Sequence, residues 1–459
     1  MTPANTTPPR TTPGRVIRAA SLPARLPLPE RLEQGRAART RLSRSDLAAG
    51  APAPGARDAV SIMTEGDETR IPDLVPLRYG QLSMSAHTSY CGAPAVMARD
   101  LASIPTTGLV VQLHGNAHIG NFRLLASDDG QPVFGLVDFN DTLPGPFEWD
   151  LRRLAASIEL AGRAAGVDDR DRSAMVRRMV ASYRLAMTRH AADPVLATWA
   201  AVVPTEEVDA ELGGSNQPSS RALRGVLREL TSSQGDRRRF KHRPPLLHRA
   251  TEAERELVER ILVRYVNRLS EDRRRLIANY ALIDVARRAG NPGRIGRRCF
   301  VALFEGRDAQ DSLLLQLDEA VPSSLEAIFG RSRHRHHGQR VVVGRRLLQR
   351  EPGDLLGWAT AADGLAIHVH RLRDALATPE VDRLRARPLA TLAALCGTTL
   401  ALGHARSGDP VAIAAYLGGS DRADRALAEF AAAYADTAEN DHRALVAAID
   451  DGRLPAAGA

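Results

Sequence analysis

Short apolar runs bounded by turn-forming residues punctuate the first half of the chain. "GLVVQLHG" (108–115) and "PVFGLVDF" (132–139) are each closed off by Gly, Pro or Asp, and both predict strands. The period then lengthens. In "EWDLRRLAASIELAGRAAG" (148–166), Leu151, Leu154, Ala155, Ile158 and Ala161 recur at helical spacing and Gly166 ends the run, so a helix is expected there and a second over 169–191. Leu257, Ile261, Leu262, Tyr265 and Leu269 predict further helix over 251–288.

Beyond residue 290 the pattern changes again. "GRIGRRCFVALFEG" (293–306) and "DSLLLQLDEA" (311–320) predict the two strands of a hairpin after a Gly-rich turn. "GQRVVVGRRLLQR" (338–350) predicts a helix, and "LAIHVHRLRD" (365–374) a strand with His368 and His370 on one side. The alanine-rich stretch 380–450 is helical, broken at 405–410 and 418–421. Turn formers and charge mark 50–57 and 213–220 as linkers and "GDRRRFKHRPP" (235–245) as a basic loop.

This mixture of elements points to an α+β chain. The expected division is a disordered basic tail (1–30), a helix-rich part (31–288), a small β-rich lobe with the Gly-rich hairpin (289–378), a C-terminal helical part (379–450) and a tail (451–459). A length of 459 residues, 44% hydrophobic and 25% charged, permits a sizeable core. No apolar run reaches the roughly 18–20 residues of a membrane span, so no membrane partner is expected. No apolar signal segment opens the chain, and Cys91, Cys299 and Cys396 match no metal or redox spacing; both suit a reducing cytoplasm. Net charge is +8, almost all of it arginine, since Lys241 is the only lysine. With 4% aromatics, stacking platforms for nucleic acid are scarce, and base composition of the gene is the preferred account of the arginine.

The chemistry concentrates in two loops. A phosphotransferase needs a carboxylate at the acceptor hydroxyl, oxygen ligands for Mg²⁺, and donors on the phosphates. "HGNAHIGNF" opens after a predicted strand and offers His114, His118 and the amide Asn121, a candidate metal ligand. "VDFND" offers Asp138 at a strand end as a second metal ligand and Asp141 three residues on. Asp150, opening the next helix, is placed to accept backbone N–H groups and brace the loop. The bland alternatives are core histidines and turn-forming Asn and Asp. The His-x₃-His spacing also suits zinc, but no third ligand stands beside it. "HARSGD" (404–409) reads equally as a ligand contact through Arg406 and Asp409 or as a helix end followed by an Asp cap. "RSRHRHHGQR" (331–340) reads as a solvated loop.

Taken together, "IPDLVPLRYGQLSMS", "HGNAHIGNF", "DFNDTLPGPFEWDLRRLAASI", "HGQRVVVGRRLLQ", "HARSGD", "AAYLGGSD" and "YADTAENDH" resemble the bacterial family DUF2252, over about residues 31–450. The resemblance implies a protein-kinase-like or aminoglycoside-phosphotransferase-like two-lobe architecture; because the Gly-rich hairpin follows the acidic loops, either the lobes are permuted in sequence or the kinase analogy is only partial. It also implies Mg²⁺ and ATP as cofactors, and exposes three departures. Asn116 stands where the family has the catalytic Asp, Asp318 where it has Lys, and Val343 where it has Glu. An amide cannot take a proton, and loss of a general base costs roughly 10²–10⁴ in rate. A carboxylate at 318 is expected to repel a triphosphate. The expectation is therefore a kinase-like protein, catalytically impaired or inactive, keeping a ligand- or metal-binding or regulatory role with an unknown ligand or protein as partner. An active phosphotransferase using Asp141 as base is the alternative, and an arginine-rich nucleic-acid module a second.

Overall fold

The computed structural model describes residues 26–52, 55–126, 132–203, 219–234, 237–308, 310–350, 353–372, 375–377, 381 and 384–458. Most of the expected N-terminal tail and of the 213–220 linker lies outside them. The fold is mixed α+β, with small antiparallel sheets set among helices.

The helices build the larger core. Helix α1 (Leu28–Arg41) opens behind Pro27, inside the segment expected to be tail. Helix α2 (Glu148–Ala164) is buried nearly all round, and α3 (Asp169–Ala192) packs beside it, capped by Asp168 accepting from the Asp171 N–H. Two strands, β1 (Val110–Leu113) and β4 (Leu143–Pro146), pair antiparallel ahead of α2. Between them, β2 (Phe122–Ala126) pairs with β3 (Pro132–Leu136).

The second core belongs to a six-stranded antiparallel sheet. Its strands are β7 (Leu247–Arg249), β8 (Ala281–Arg288), β9 (Cys299–Glu305), β10 (Ser312–Glu319), β11 (Gly357–Thr360) and β12 (Ala366–Arg371), in the order β11-β12-β10-β9-β8-β7. A hairpin of β5 (Thr231–Gln234) and β6 (Arg237–Phe240) lies near β8, and β13 (Ala375–Ala377) pairs with β2. Helix α4 (Glu252–Val266) covers one sheet face, packing Val258, Ile261 and Tyr265 against Phe300, Leu315 and Val369.

Helix α5 (His337–Leu348) joins the sheet to the helical part. Its fully buried Arg340 donates to the carbonyls of Thr142 (2.7 Å), Asn140 (2.7 Å) and Val321 (2.8 Å). Helices α6 (Ala386–Ser407), α7 (Pro410–Leu417) and α8 (Arg422–Asp450) close the bundle. Gly397 lets α6 touch α3, since a Cβ there would lie 2.2 Å from the Met179 carbonyl oxygen. By length and composition α6 is apolar enough to cross a membrane, but 78% of its most apolar window is buried within the protein, as in a core helix.

Three expectations need correction. The helix expected over 251–288 stops at Val266, a short helix follows at Glu271–Ile277, and 281–288 is strand. The neighbours Val285 and Ala286 enter different cores on opposite faces of the sheet, a period of two that no helix produces. The basic segment 235–245 contains β6 rather than only loop. The sheet and its covering helix therefore begin well before residue 289. Within 331–340, His336 is not merely solvated: its Nδ1 caps α5 by accepting from the Gln339 N–H at 3.2 Å.

Candidate functional site: a cationic cleft beside two acidic loops

The first acidic loop leaves β1 and turns at once. Asp150, buried at the start of α2, accepts from the backbone N–H of His114 (2.6 Å) and Gly115 (3.0 Å). Gly115 has φ +83, and a Cβ there would sit 2.3 Å from the Asp141 carbonyl oxygen, so only glycine lets the two loops approach. His114 Nε2 lies 2.8 Å from the Val137 carbonyl, which can only accept, so this nitrogen carries the proton. Burial lowers the His114 pKa and keeps the ring neutral.

Asn116 is fully engaged. Its Oδ1 accepts from Arg153 Nε (3.0 Å) and Nη2 (2.7 Å), and its Nδ2 donates to the Cys91 carbonyl (3.1 Å). Asn121 Nδ2 donates to the Asn116 carbonyl at 3.0 Å, which locks the loop on itself. Asp141 Oδ1 accepts from the Ser324 N–H at 2.9 Å. These contacts brace the loops on themselves and against neighbouring segments. His114, Asn116, His118, Asn121 and Asp141 do not line the main cavity.

Asp138 does. It is the only described non-glycine residue with positive φ, 61°, a conformation that costs energy and is held by its surroundings. Asn140 Nδ2 donates to its Oδ1, and Arg294 Nη1 lies 3.8 Å away. Burial raises the Asp138 pKa, but Arg294 and the Asn140 hydrogen bond outweigh it, and the carboxyl stays below its ordinary range. The cavity in front of it holds about 320 Å³, bounded by the acidic loop, the sheet and α5. Among the described residues, Arg123, Arg288, Arg294, Arg345 and Arg371 line it together with two carboxylates, Asp138 and Glu229. A lining rich in guanidinium groups is suited to an anion.

Asp318 is not presented to this space as the sequence suggests. It is 0% exposed. Arg294, from the Gly-rich turn, places Nη2 2.9 Å from Oδ1, and Gln316 Nε2 reaches both oxygens at 3.0 and 2.8 Å. His370 Nε2 and His368 Nε2 lie 3.2 and 3.5 Å from Oδ2. Burial pushes the Asp318 pKa up, yet Arg294 and the two imidazoles hold it well below the ordinary carboxylate value. Burial lowers His368 to about 3. The expected repulsion of a ligand is thus met locally by Arg294, a residue whose partnership no local pattern reveals.

The remaining candidates lie elsewhere. Val341 and Arg345, one turn apart on α5, face the cavity, and Val343 between them does not line it. Lys241 Nζ donates to the Arg228 carbonyl and is no part of the cavity lining. Arg406 donates to the carbonyls of Trp199 (2.6 Å), Gln349 (2.9 Å) and Leu347 (3.1 Å). Asp409 caps α7 through Val411 and Ala412 N–H and pairs with Arg31 at 2.5 Å. Of the two readings of "HARSGD", the structure supports the helix cap. Sequence reasoning missed Arg123 and Arg288, which stand in strands as ordinary charged residues, and gave His368 and His370 no role.

No curated protein and no solved structure matches the chain. A family model described as "Uncharacterized protein conserved in bacteria (DUF2252)" matches residues 70–448. The chain, with its braced acidic loops and arginine-lined cleft, belongs to the DUF2252 family.

Proposed function

We propose that this is a kinase-like, cytoplasmic protein whose cleft binds a phosphate-bearing ligand, ATP with Mg²⁺ being the first candidate, without efficient phosphoryl transfer. The observation that carries this reading is the cavity itself, whose described lining holds five arginines beside the carboxylates Asp138 and Glu229, with Asp318 behind Arg294. Arginine's planar fork suits phosphate oxygens, and a largely buried setting strengthens each contact. Asp138, held below its ordinary pKa, is charged and at the cleft, and would be the protein's ligand to a Mg²⁺ ion arriving with the phosphates. The catalytic half of the site is weak by the same geometry: Asn116 is clamped by Arg153, and Asp141 is tied to Ser324 outside the cavity. The order of acidic loops before sheet fits lobes permuted in sequence.

Calorimetry on the whole chain tests the reading. Mg²⁺·ATP or pyrophosphate is expected to bind, more weakly as salt rises. Arg123→Gln with Arg345→Gln is expected to weaken binding about 10-fold, equivalent to about 1.4 kcal/mol. No binding by either anion would sink the proposal, and phosphate release at kinase rates of about 1–100 s⁻¹ would replace it by the active enzyme.

Asn116→Asp gives a sharper check on the impaired centre. The new carboxylate falls 2.7 Å from Arg153 Nη2 and becomes half of a buried ion pair rather than a base. Phosphate release, followed by a coupled assay, is expected to rise by less than about 10-fold, against the 10²–10⁴ of a working base. A gain in that larger range would show that the loop reaches the acceptor after all.

A further inference from the structure

Strands β10 and β12 bring three ligand-type side chains to one spot. Their antiparallel register sets Asp318 opposite His368 and Gln316 opposite His370, so Asp318 and both histidines share one face of the sheet. A carboxylate oxygen and one nitrogen from each ring all lie within 4.8 Å of one another. The separations from Asp318 Oδ2 are 3.2 Å to His370 Nε2 and 3.5 Å to His368 Nε2. Zinc bonds of about 2.0–2.2 Å arranged tetrahedrally place neighbouring ligand atoms roughly 3.3–3.6 Å apart. The two carboxylate–imidazole spacings match neighbouring ligands around one ion, and the ring nitrogens lie within 4.8 Å of each other.

Hydrogen positions strengthen the case. His370 Nδ1 lies 3.0 Å from the Arg371 carbonyl oxygen, which only accepts, so Nδ1 carries the ring hydrogen. With Nδ1 as its one protonated nitrogen the ring turns an Nε2 lone pair toward an anionic oxygen 3.2 Å away, whereas a ring protonated on both nitrogens donates there. Two lone pairs at that distance repel, and a cation between them removes the conflict. A metal-bound histidine commonly donates its other N–H to a backbone carbonyl, as His370 does. Arg294 meanwhile stands on Asp318 Oδ1 and Gln316 Nε2 reaches both oxygens, so Oδ2 meets the rings with one amide donor also on it at 2.8 Å. Arg294 opposes a second cation nearby, but Asp138 at 3.8 Å shares its charge.

We propose that Asp318, His368 and His370 form a binding site for a divalent transition-metal ion of the zinc class, with its open coordination positions toward the cavity. Two imidazoles and one carboxylate favour such an ion over Mg²⁺ or Ca²⁺, which take oxygen ligands. Both histidines line the cavity, so water or an anionic ligand oxygen can complete the shell. The site uses none of the acidic-loop residues, and its test needs no nucleotide, so it stands or falls apart from the phosphate-binding reading.

Tag-free full-length protein, stripped with a chelator, is titrated with Co²⁺ while its visible absorption is recorded. One equivalent per chain is expected, with the intense bands of four- or five-coordinate Co²⁺, displaced by Zn²⁺. The double variant His368→Ala/His370→Ala is expected to weaken Co²⁺ binding by about 100-fold or more. His242→Ala/His248→Ala, a second close histidine pair with ring centroids 5.5 Å apart, is expected to leave it unchanged. His370→Ala alone covers failure of the double variant to fold, because this side chain is 18% exposed, and it too is expected to lose the bands. A wild-type protein without a stoichiometric equivalent, or bands that survive His370→Ala, overturns the site and leaves a proton between His370 and Asp318.

Discussion

Asp318→Lys is expected to destabilise the protein by about 3–5 kcal/mol instead of restoring a grip on nucleotide. On family resemblance alone, lysine at this position completes a phosphate-binding pair. In the structure, Asp318 is 0% exposed and its Oδ1 stands 2.9 Å from Arg294. An ammonium there would meet a guanidinium in a buried space, and Arg294 would keep only the more distant Asp138, at 3.8 Å. Val343, the other half of the expected pair, does not line the cavity, so Val343→Glu would supply no partner. Urea unfolding of the metal-free protein measures the loss. Asp318→Asn is expected to cost less, because an amide can still accept from Gln316 or Arg294 without adding a positive charge. Wild-type stability together with tighter ATP binding in Asp318→Lys would show that Arg294 is not the partner assigned to it.

Asp150→Ala is expected to cost about 3–5 kcal/mol through a different mechanism, the orphaning of buried donors. Its carboxylate accepts from His114 N, Gly115 N and, at 3.2 Å, His404 Nε2. Each buried donor left without a partner costs about 1–3 kcal/mol, and truncation leaves three. Gly115 has little freedom to relax, because its backbone is pressed against Asp141. Asp150→Asn keeps one accepting oxygen and should fall between wild type and alanine. Unfolding midpoints, with hydrogen exchange at the His114 and Gly115 amides, report both the size and the place of the effect. A loss below about 1 kcal/mol with unchanged exchange would show that the loop is held by something else.

How much of this was legible beforehand depended on the range of the interaction. The helix from Glu148 and the brace at Asp150 were readable because a periodic apolar stripe and an N-terminal acid are local signals. Strand β8 was not: "ALIDVARR" follows helical sequence, and only pairing with β9 makes it strand. Strands β2 and β11 are short and depend likewise on their neighbours. Among the site residues, Asn116 could be recognised as unable to act as a base. That its amide is clamped by Arg153, in the middle of a buried helix, could not.

The chain's own order of residues determined the element types with strong periodicity, the strand-end position of Asp138, and the loss of a carboxylate at 116, since each follows from chemistry within a few neighbours. Tertiary structure decided what Asp318 means. Read along the chain it is a repulsive charge. Across the register of β10 with β12, and beside Arg294 from the preceding turn, it becomes a neutralised carboxylate facing two imidazoles. Charge at a site is a sum over groups close in space, and residues 294, 318 and 368–370 meet only after the sheet has formed.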